Sequence, residues 1–384
     1  MLLIKNAKLL TMAAKDYPGG ADMLVNDGVI VSIGTNLPES GARVVDASGL
    51  TALPGLIDAH CHIGMWEDSI GWAGSDGNEM TKPITPEMRA LDAVNPEDRC
   101  FADALKAGVT LAATGPGSAN VIGGQFIAMR TAGTRLDDML VKEPLALKIA
   151  FGENPKRCYG ESQKKEPMTR MATAALLRQA LVDAQSYQTK LSQAGEDKRP
   201  DRNLGKEILA AALSGGLRVK AHAHRADDIR TALRIRDEFH LNMTLEHCTE
   251  GWRILDALRS AQCPVILGPL FGDRSKEELR NMTYEAPSML HKAGIRFAMM
   301  TDHPVIPLEY LPVTVAVAVR YGLPQRAALE AITINAAWAI GLDDRFGSLE
   351  PGKEADFALY DGDPLDTRTR VKQVYVRGLL AHEG

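Results

Sequence analysis

The chain has 384 residues, long for one ordinary domain and short for three, and a barrel of about 250 residues with a smaller satellite would account for the length. Its composition, 45% hydrophobic and 24% charged with 34 glycines and 20 prolines, is that of a globular enzyme able to bury a large core. A formal charge of −5 with interspersed signs argues against nucleic-acid and membrane-surface proteins, which carry a basic face, but allows an anionic small substrate, since a pocket needs only one or two cations.

The first residues, Met1 to Met12, place Lys5 and Lys8 inside their apolar stretch and lack a small-residue cleavage site, so no signal peptide is expected. No apolar run reaches the roughly 18 residues of a membrane span. Residues 1–52 read as short strands punctuated by Pro18-Gly19-Gly20, by Gly41 and by Asn26-Asp27-Gly28, a hairpin signal between two Val-rich stretches. From residue 53 to 345 strands and helices alternate. Strand patterns lie at 50–60, 108–114, 145–151, 217–224, 242–248, 263–269 and 295–302, with 123–130 as the best candidate for the third strand of the series. Helical patterns occupy 96–108, 172–191, 206–216, 226–239, 288–294 and 325–341, and Gly108 and Gly294 stop two of them. Residues 195–205 read as an exposed polar loop. Residues 346–384 return to alternating strands around Asp361-Gly362-Asp363-Pro364, so both termini are expected to build one small β-sandwich.

Alternation with buried parallel strands predicts an α/β fold, either a barrel or an open doubly wound sheet. No GxGxxG follows the first strand and no P-loop pattern occurs, which weakens dinucleotide and nucleotide readings. The five cysteines, Cys61, Cys100, Cys158, Cys248 and Cys263, are odd in number, scattered and without a CxxC pair, as expected for reduced thiols in the cytoplasm.

Chemistry concentrates at strand ends. His60 and His62 are two residues apart on a strand and share a face with Asp58, so two imidazoles can meet one ion. His222 and His224 close the fifth candidate strand, Glu246-His247 the sixth, and Thr301-Asp302-His303 the eighth. Six of the nine histidines thus fall at strand ends, which a closed barrel gathers on a single rim. Unrelated core histidines would have to strike that rim repeatedly, so a metal centre is the stronger expectation.

With those residues in view, the chain resembles the amidohydrolase superfamily, and within it imidazolonepropionase-related amidohydrolases and dipeptidases. The resemblance rests on Pro54-Gly55-Leu56-Ile57-Asp58-Ala59-His60-Cys61-His62, on His222, His247 and Asp302, and on the closing stretch 347–365. It implies a (β/α)8 TIM barrel with a β-sandwich from both termini, and one or two divalent ions, zinc before manganese, cobalt or iron. By the same resemblance His60 and His62 hold a first metal, His222 and His247 a second, and Asp302 the first metal and the proton. The bridging ligand is either Lys148, where relatives carry a carboxylated lysine, or Glu153; a single-ion site is a third form.

A bound ion lowers the pKa of its water from 15.7 toward about 7. Asp302 would carry the proton from that water to the leaving nitrogen. His224 or His303 would stabilise the oxyanion, or His224 would act as a hydrogen-bond partner behind the metal. Lys156, Arg157 and Tyr159 after the fourth strand, with Arg225, are candidates to bind substrate, the cations through a substrate carboxylate. Met65-Trp66 can wall the pocket, and Gly123-Gly124-Gln125 can bring main chain near a ligand.

The expected activity is therefore hydrolysis of an amide, cyclic amide or dipeptide bond in a small molecule, with neither nucleic acid nor membrane as partner; homo-oligomers are common among such barrels. A deaminase on the same scaffold is the first rival, weakened because Arg225-Ala226-Asp227-Asp228 stands where a helix-borne Glu is wanted. A binding protein that has lost catalysis is the second, and it predicts lost ligands, whereas all five are present.

Overall fold

The computed structural model describes residues 1–193 and 199–384. It opens with five strands, β1 (Leu2–Leu9), β2 (Tyr17–Asn26), β3 (Val29–Gly34), β4 (Arg43–Asp46) and β5 (Thr51–Pro54). The barrel strands follow: β6 (Leu56–Cys61), β7 (Val109–Thr114), β8 (Ile122–Arg130), β9 (Leu140–Ala150), β10 (Arg218–Ala223), β11 (Met243–His247), β12 (Val265–Leu267) and β13 (Phe297–Met299). The chain closes with β14 (Phe357–Tyr360), β15 (Val371–Val376) and β16 (Leu379–Glu383).

Both termini build one eight-stranded sheet in the order β16-β15-β14-β5-β1-β2-β3, with β4 also paired to β1. The β2–β3 hairpin turns on Asp27 (φ 49°) and Gly28 (φ 80°), the two left-handed residues that an Asn-Asp-Gly signal foretells. A separate apolar cluster that includes Ile4, Met23, Ile30, Phe357 and Tyr375 fills this sheet's core.

The eight central strands lie side by side in chain order, β6 through β13. The seam between the last and the first is bridged by the His62 N–H donating to the His303 carbonyl (2.8 Å) and the Thr301 N–H donating to Asp58 Oδ2 (2.9 Å). The fold is thus the expected TIM barrel with a second sheet from both ends.

One strand departs from strict alternation. The expected third strand is present as β8, but it runs antiparallel to both β7 and β9. The connection over residues 115–121 is too short for the dozen or so residues that a parallel crossover needs, and antiparallel neighbours need only a short turn. Its consequence is Phe126, whose ring lies under the barrel mouth with Lys148 Nζ and Lys220 Nζ at 5.5 and 5.4 Å from its centroid.

Two further expectations are amended. The polar loop predicted over 195–205 ends in a helix, Leu204–Leu213, capped by Asn203, whose side chain accepts from the Lys206 N–H (2.9 Å); residues 195–198 lie outside the described residues. The helix predicted over 325–341 is two, Gln325–Ala331 and Ile334–Ile340. The Ile332 carbonyl accepts the N–H of Ile57 on β6 (2.8 Å), and Thr333 turns its hydroxyl onto the Leu329 carbonyl (2.6 Å), so the helical ladder is interrupted where it docks on the barrel. Gly108 (φ 83°) and Gly294 (φ 72°) end their helices as read. Among the described residues no helix is long and apolar enough to cross a membrane.

Candidate metal centre and active site

Parallel register carries distant residues to one level. Lys148 on β9 pairs with Lys220 on β10, and His222 pairs with Glu246 on β11. Strand ends beyond these rows deliver His60 and His62 from β6, His224 after β10, His247 from β11 and Asp302 after β13. Their ligand atoms form two triads, His60/His62/Asp302 and His222/His224/His247, each with all members within 4.8 Å of one another. Imidazole centroids of His222 and His247 are 4.3 Å apart and those of His60 and His247 5.5 Å apart, so the triads adjoin. His247 (φ 70°) and Asp302 (φ 56°) both adopt left-handed backbone, which costs a non-glycine residue on the order of 1–3 kcal/mol and clusters at functional sites.

Hydrogen bonding behind the rings fixes which nitrogen faces the centre. His62 Nδ1 lies 2.6 Å from the Gly115 carbonyl and His247 Nδ1 2.9 Å from the Gly268 carbonyl; an oxygen of that kind can only accept, so Nδ1 carries the proton in both. His60 Nε2 lies 3.1 Å from Lys148 Nζ, an ammonium that can only donate, so Nδ1 carries the proton there too, on the side of Glu246 Oε2 at 2.7 Å. Each ring therefore turns an Nε2 lone pair inward. His62 Nε2 is 3.2 Å from Asp302 Oδ1, His60 Nε2 is 3.6 Å from it, and buried His247 Nε2 has no partner. Electron-pair donors converging on one space, with Lys148 Nζ beside them at 3.1 Å from His60 Nε2, are the donor set of a cation, and the neutral imidazole with its rear N–H held by oxygen is its usual form.

Electrostatics agrees. Burial drives His60, His222 and His247 well below the ordinary imidazole pKa, with Lys148 adding to the effect, and takes His224 to about 3. All four are neutral at physiological pH, so no proton need leave before a metal binds. Burial works against the Asp302 carboxylate, yet its pKa lies below the ordinary value, with the positive charge of Lys148 among the causes. Burial lowers Lys148 to about 8, its Nζ standing 3.1 Å from His60 Nε2. Asp58, by contrast, is raised by burial to about 7, although His60 and Thr301 N–H groups and the Thr301 hydroxyl donate to it.

A cavity of about 380 Å³ opens over both triads, walled by His62, Trp66, His222, His224, Lys276 and Asp302. The model of the amidohydrolase family matches residues 51–380. The chain belongs to the amidohydrolase family. It is a hydrolase of carbon–nitrogen bonds.

Amidohydrolase tasK of Hapsidospora irregularis is 30% identical over 389 residues, an alignment that takes in 93% of this chain but only 39% of that protein. Imidazolonepropionase of Cupriavidus necator is 27% identical, covering 95% of this chain and 91% of its own. Among solved structures, an amidohydrolase from Thermotoga maritima superposes over the full length of both chains with a TM-score of 0.97 and 41% identity. A Xaa-Pro dipeptidase structure with bound methionine, at TM-score 0.61 and 17% identity, shares the fold alone.

Not every residue singled out in the amidohydrolase sequence meets at this centre. Glu153 turns away: its carboxylate pairs with Arg157 Nη2 (2.6 Å), and only its N–H faces inward, donating to Glu278 Oε2 (3.0 Å). Arg157 is half exposed on that same pair, where a helical turn (Glu153–Lys156) widens over Arg157–Glu161. Tyr159 is buried and donates to the Lys82 carbonyl (2.8 Å) and to Asn120 Oδ1 (3.0 Å), a structural anchor. Arg225 forms two bonds of 3.0 Å with Asp227. His303 is buried beside the cavity wall.

Several site groups carry no signal in the sequence. Glu278 is almost wholly buried in the stretch after β12, with Oε1 unpartnered at 3.7 Å from His224 Nε2 and 3.9 Å from His222 Nε2. Ser118 Oγ meets His222 Nδ1 (2.8 Å), and Lys276 donates to Asn154 Oδ1 (2.8 Å). Glu246 and Lys220 were visible only as neighbours of histidines. Strand parity alone offered a hint, since Lys220 and His222 share a face of β10.

Proposed function

We propose that this amidohydrolase uses one or two divalent ions, zinc foremost, to hydrolyse an amide, cyclic amide or dipeptide bond of a small substrate in the cytoplasm. The observation that carries the reading is the pair of adjoining triads whose lone pairs converge on one cavity. His60, His62 and Asp302 would hold one ion, and His222 and His247, with His224, the other. An ion bound there supplies an acidified water and polarises the scissile carbonyl.

The chain's own groups do the rest. Asp302, kept ionised with the help of Lys148, takes the proton and delivers it to the leaving nitrogen, which is a poor leaving group until protonated. His224, neutral and held at Nδ1 by Thr249 Oγ1 (2.7 Å), is the group either to ligate or to stabilise oxyanion charge. Lys148 supports a bridging role better than Glu153. Its lowered pKa leaves a fraction of free amine at neutral pH, and a free amine takes up carbon dioxide with loss of a proton to give an anionic carbamate. Among cations for a substrate carboxylate, Lys276 lines the cavity with Glu278 Oε1 4.0 Å away, whereas Arg157 and Arg225 are held more closely, by Glu153 and Asp227.

Deamination has one supporting observation, the buried Glu278 carboxyl beside His224, which stands where a proton donor to a ring would be useful. The test is metal analysis of purified protein with a panel of dipeptides, N-acyl amino acids, cyclic amides and amino-heterocycles, scored for amine and for ammonia. Less than about a tenth of an equivalent of metal, and no activity after adding zinc, manganese or cobalt, would overturn the proposal.

A further inference from the structure

Beside the metal cavity lies a second one of about 570 Å³, and Trp66 and Pro304 wall both. Its lining includes Trp72, Glu67, Asp68, Asp103, Glu309, His303 and the cation Arg99. The charges do not balance. Arg99 bridges Asp68 (3.4 Å) and Asp103 (3.6 Å), and Lys106 also holds Asp103 (2.9 Å). Glu67 has only the Asn95 amide as partner, and Glu309 has no hydrogen-bond or ion-pair partner among the described residues. Two carboxylates thus face this space without a cation.

His303 supplies an independent observation. It is 3% exposed, and the Leu308 N–H donates to its Nδ1 (3.2 Å). A ring that accepts at Nδ1 must carry its proton on Nε2, and Nε2 is buried without a partner. A buried donor left without an acceptor is costly, so an acceptor from outside the chain is the expected complement. Trp72, 92% exposed, stands at the rim with its ring face free, the surface a cation prefers.

Building on the amidohydrolase reading, we infer that this second cavity is a subsite of the same active site, taking the basic end of the substrate, an ammonium or guanidinium group, while a carbonyl oxygen of the substrate accepts from His303 Nε2. The bond to be cut lies over the triads on one side of Trp66, and the cationic arm lies across it between Trp72 and the carboxylates of Glu67 and Glu309.

Calorimetric titration of the metal-loaded protein with N-acetyl-arginine amide, N-acetyl-norleucine amide and N-acetyl-glutamate amide tests this apart from turnover. The arginine amide is expected to bind at least tenfold more tightly than the norleucine amide, and the glutamate amide more weakly still. Trp72→Ala and Glu309→Gln, both surface changes that leave the fold intact, should each reduce the arginine advantage at least threefold. Equal affinities, a preference for glutamate, no binding of any amide, or an advantage untouched by both variants would overturn the inference. The same compounds separate the two readings: hydrolysis without basic preference sinks the subsite alone, and basic preference with no hydrolysis of any amide sinks the reaction alone.

Discussion

Replacing Lys220 by methionine probes what holds the strands behind the candidate metal centre together. Lys220 Nζ lies 3.0 Å from Glu246 Oε2 and donates to the Ala59 carbonyl (3.0 Å); its side chain is 2% exposed, and that of Glu246 is 0% exposed. Burial pulls the Lys220 pKa down while Glu246 opposes it. Methionine matches the stem in volume but leaves the carboxylate with only the Thr244 hydroxyl and His60 Nδ1. Stranding one charge of a buried pair costs about 3–5 kcal/mol. At an unfolding entropy of about 2.1 cal/mol/K per residue, this chain changes by about 0.8 kcal/mol per degree, so Tm should fall by about 4–6 °C. Differential scanning calorimetry of Lys220→Met, Glu246→Gln and the double variant reads this directly. The double variant should recover at least half of the loss, because no charge is then left unpaired. A drop below about 1 °C for Lys220→Met, or additive losses in the double variant, would refute the reasoning. Glu246→Leu should in addition lower metal affinity about 10- to 100-fold by removing the acceptor behind His60.

Other outcomes follow from the same geometry. Dialysis against a chelator should abolish activity and lower Tm, since an ion present at a hundred times its Kd adds about 2.7 kcal/mol to the folded state; zinc should restore both, and a Tm indifferent to chelator would count against a buried centre. Lys148→Met should retain less than half of the bound metal by elemental analysis, whereas Glu153→Gln should retain nearly all of it. Gly77→Ala would place a Cβ about 2.0 Å from the Trp66 ring, so that ring must move; KM should rise several-fold with little change in Tm, and an unchanged KM would remove Trp66 from the cavity wall. Asp228 is raised by burial to about 6, against about 3.9 in an unfolded chain, so the folded state binds more protons between those values and its contribution to stability is lost as pH rises through about 6. Asp228→Asn should therefore raise Tm relative to the parent at pH 8 more than at pH 5, and an equal effect at both would contradict that assignment.

The architecture was legible because two periodicities change where the fold changes: alternation in the terminal strands, and strand–helix succession between them. The orientation of β8 was not, because a pattern of burial is the same whichever way a strand runs, and only the shortness of residues 115–121 bears on it. The break at Thr333 was hidden for a similar reason. Ile332 and Thr333 fit a helix locally, and the competing acceptance of the Ile57 N–H comes from a strand far away in the chain.

The candidate centre was legible to the extent that strand ends announce themselves. His60, His62, His222, His224, His247 and Asp302 sit where apolar runs stop, and barrel topology brings such stops to one rim. Lys276 reaches the cavity, and Glu278 reaches His222 and His224, from a long polar stretch after β12 that has no periodicity to interpret, so no spacing could have placed them. Arg157 and Glu153 mislead in the opposite way. They stand four residues apart, where a helical turn makes them neighbours, and each satisfies the other instead of the substrate. A charged residue near a site is thus informative only after its nearest opposite charge is known, and by that criterion Lys276 and Glu278 answer one another at 4.0 Å, while the groups left over are Glu67 and Glu309 in the second cavity.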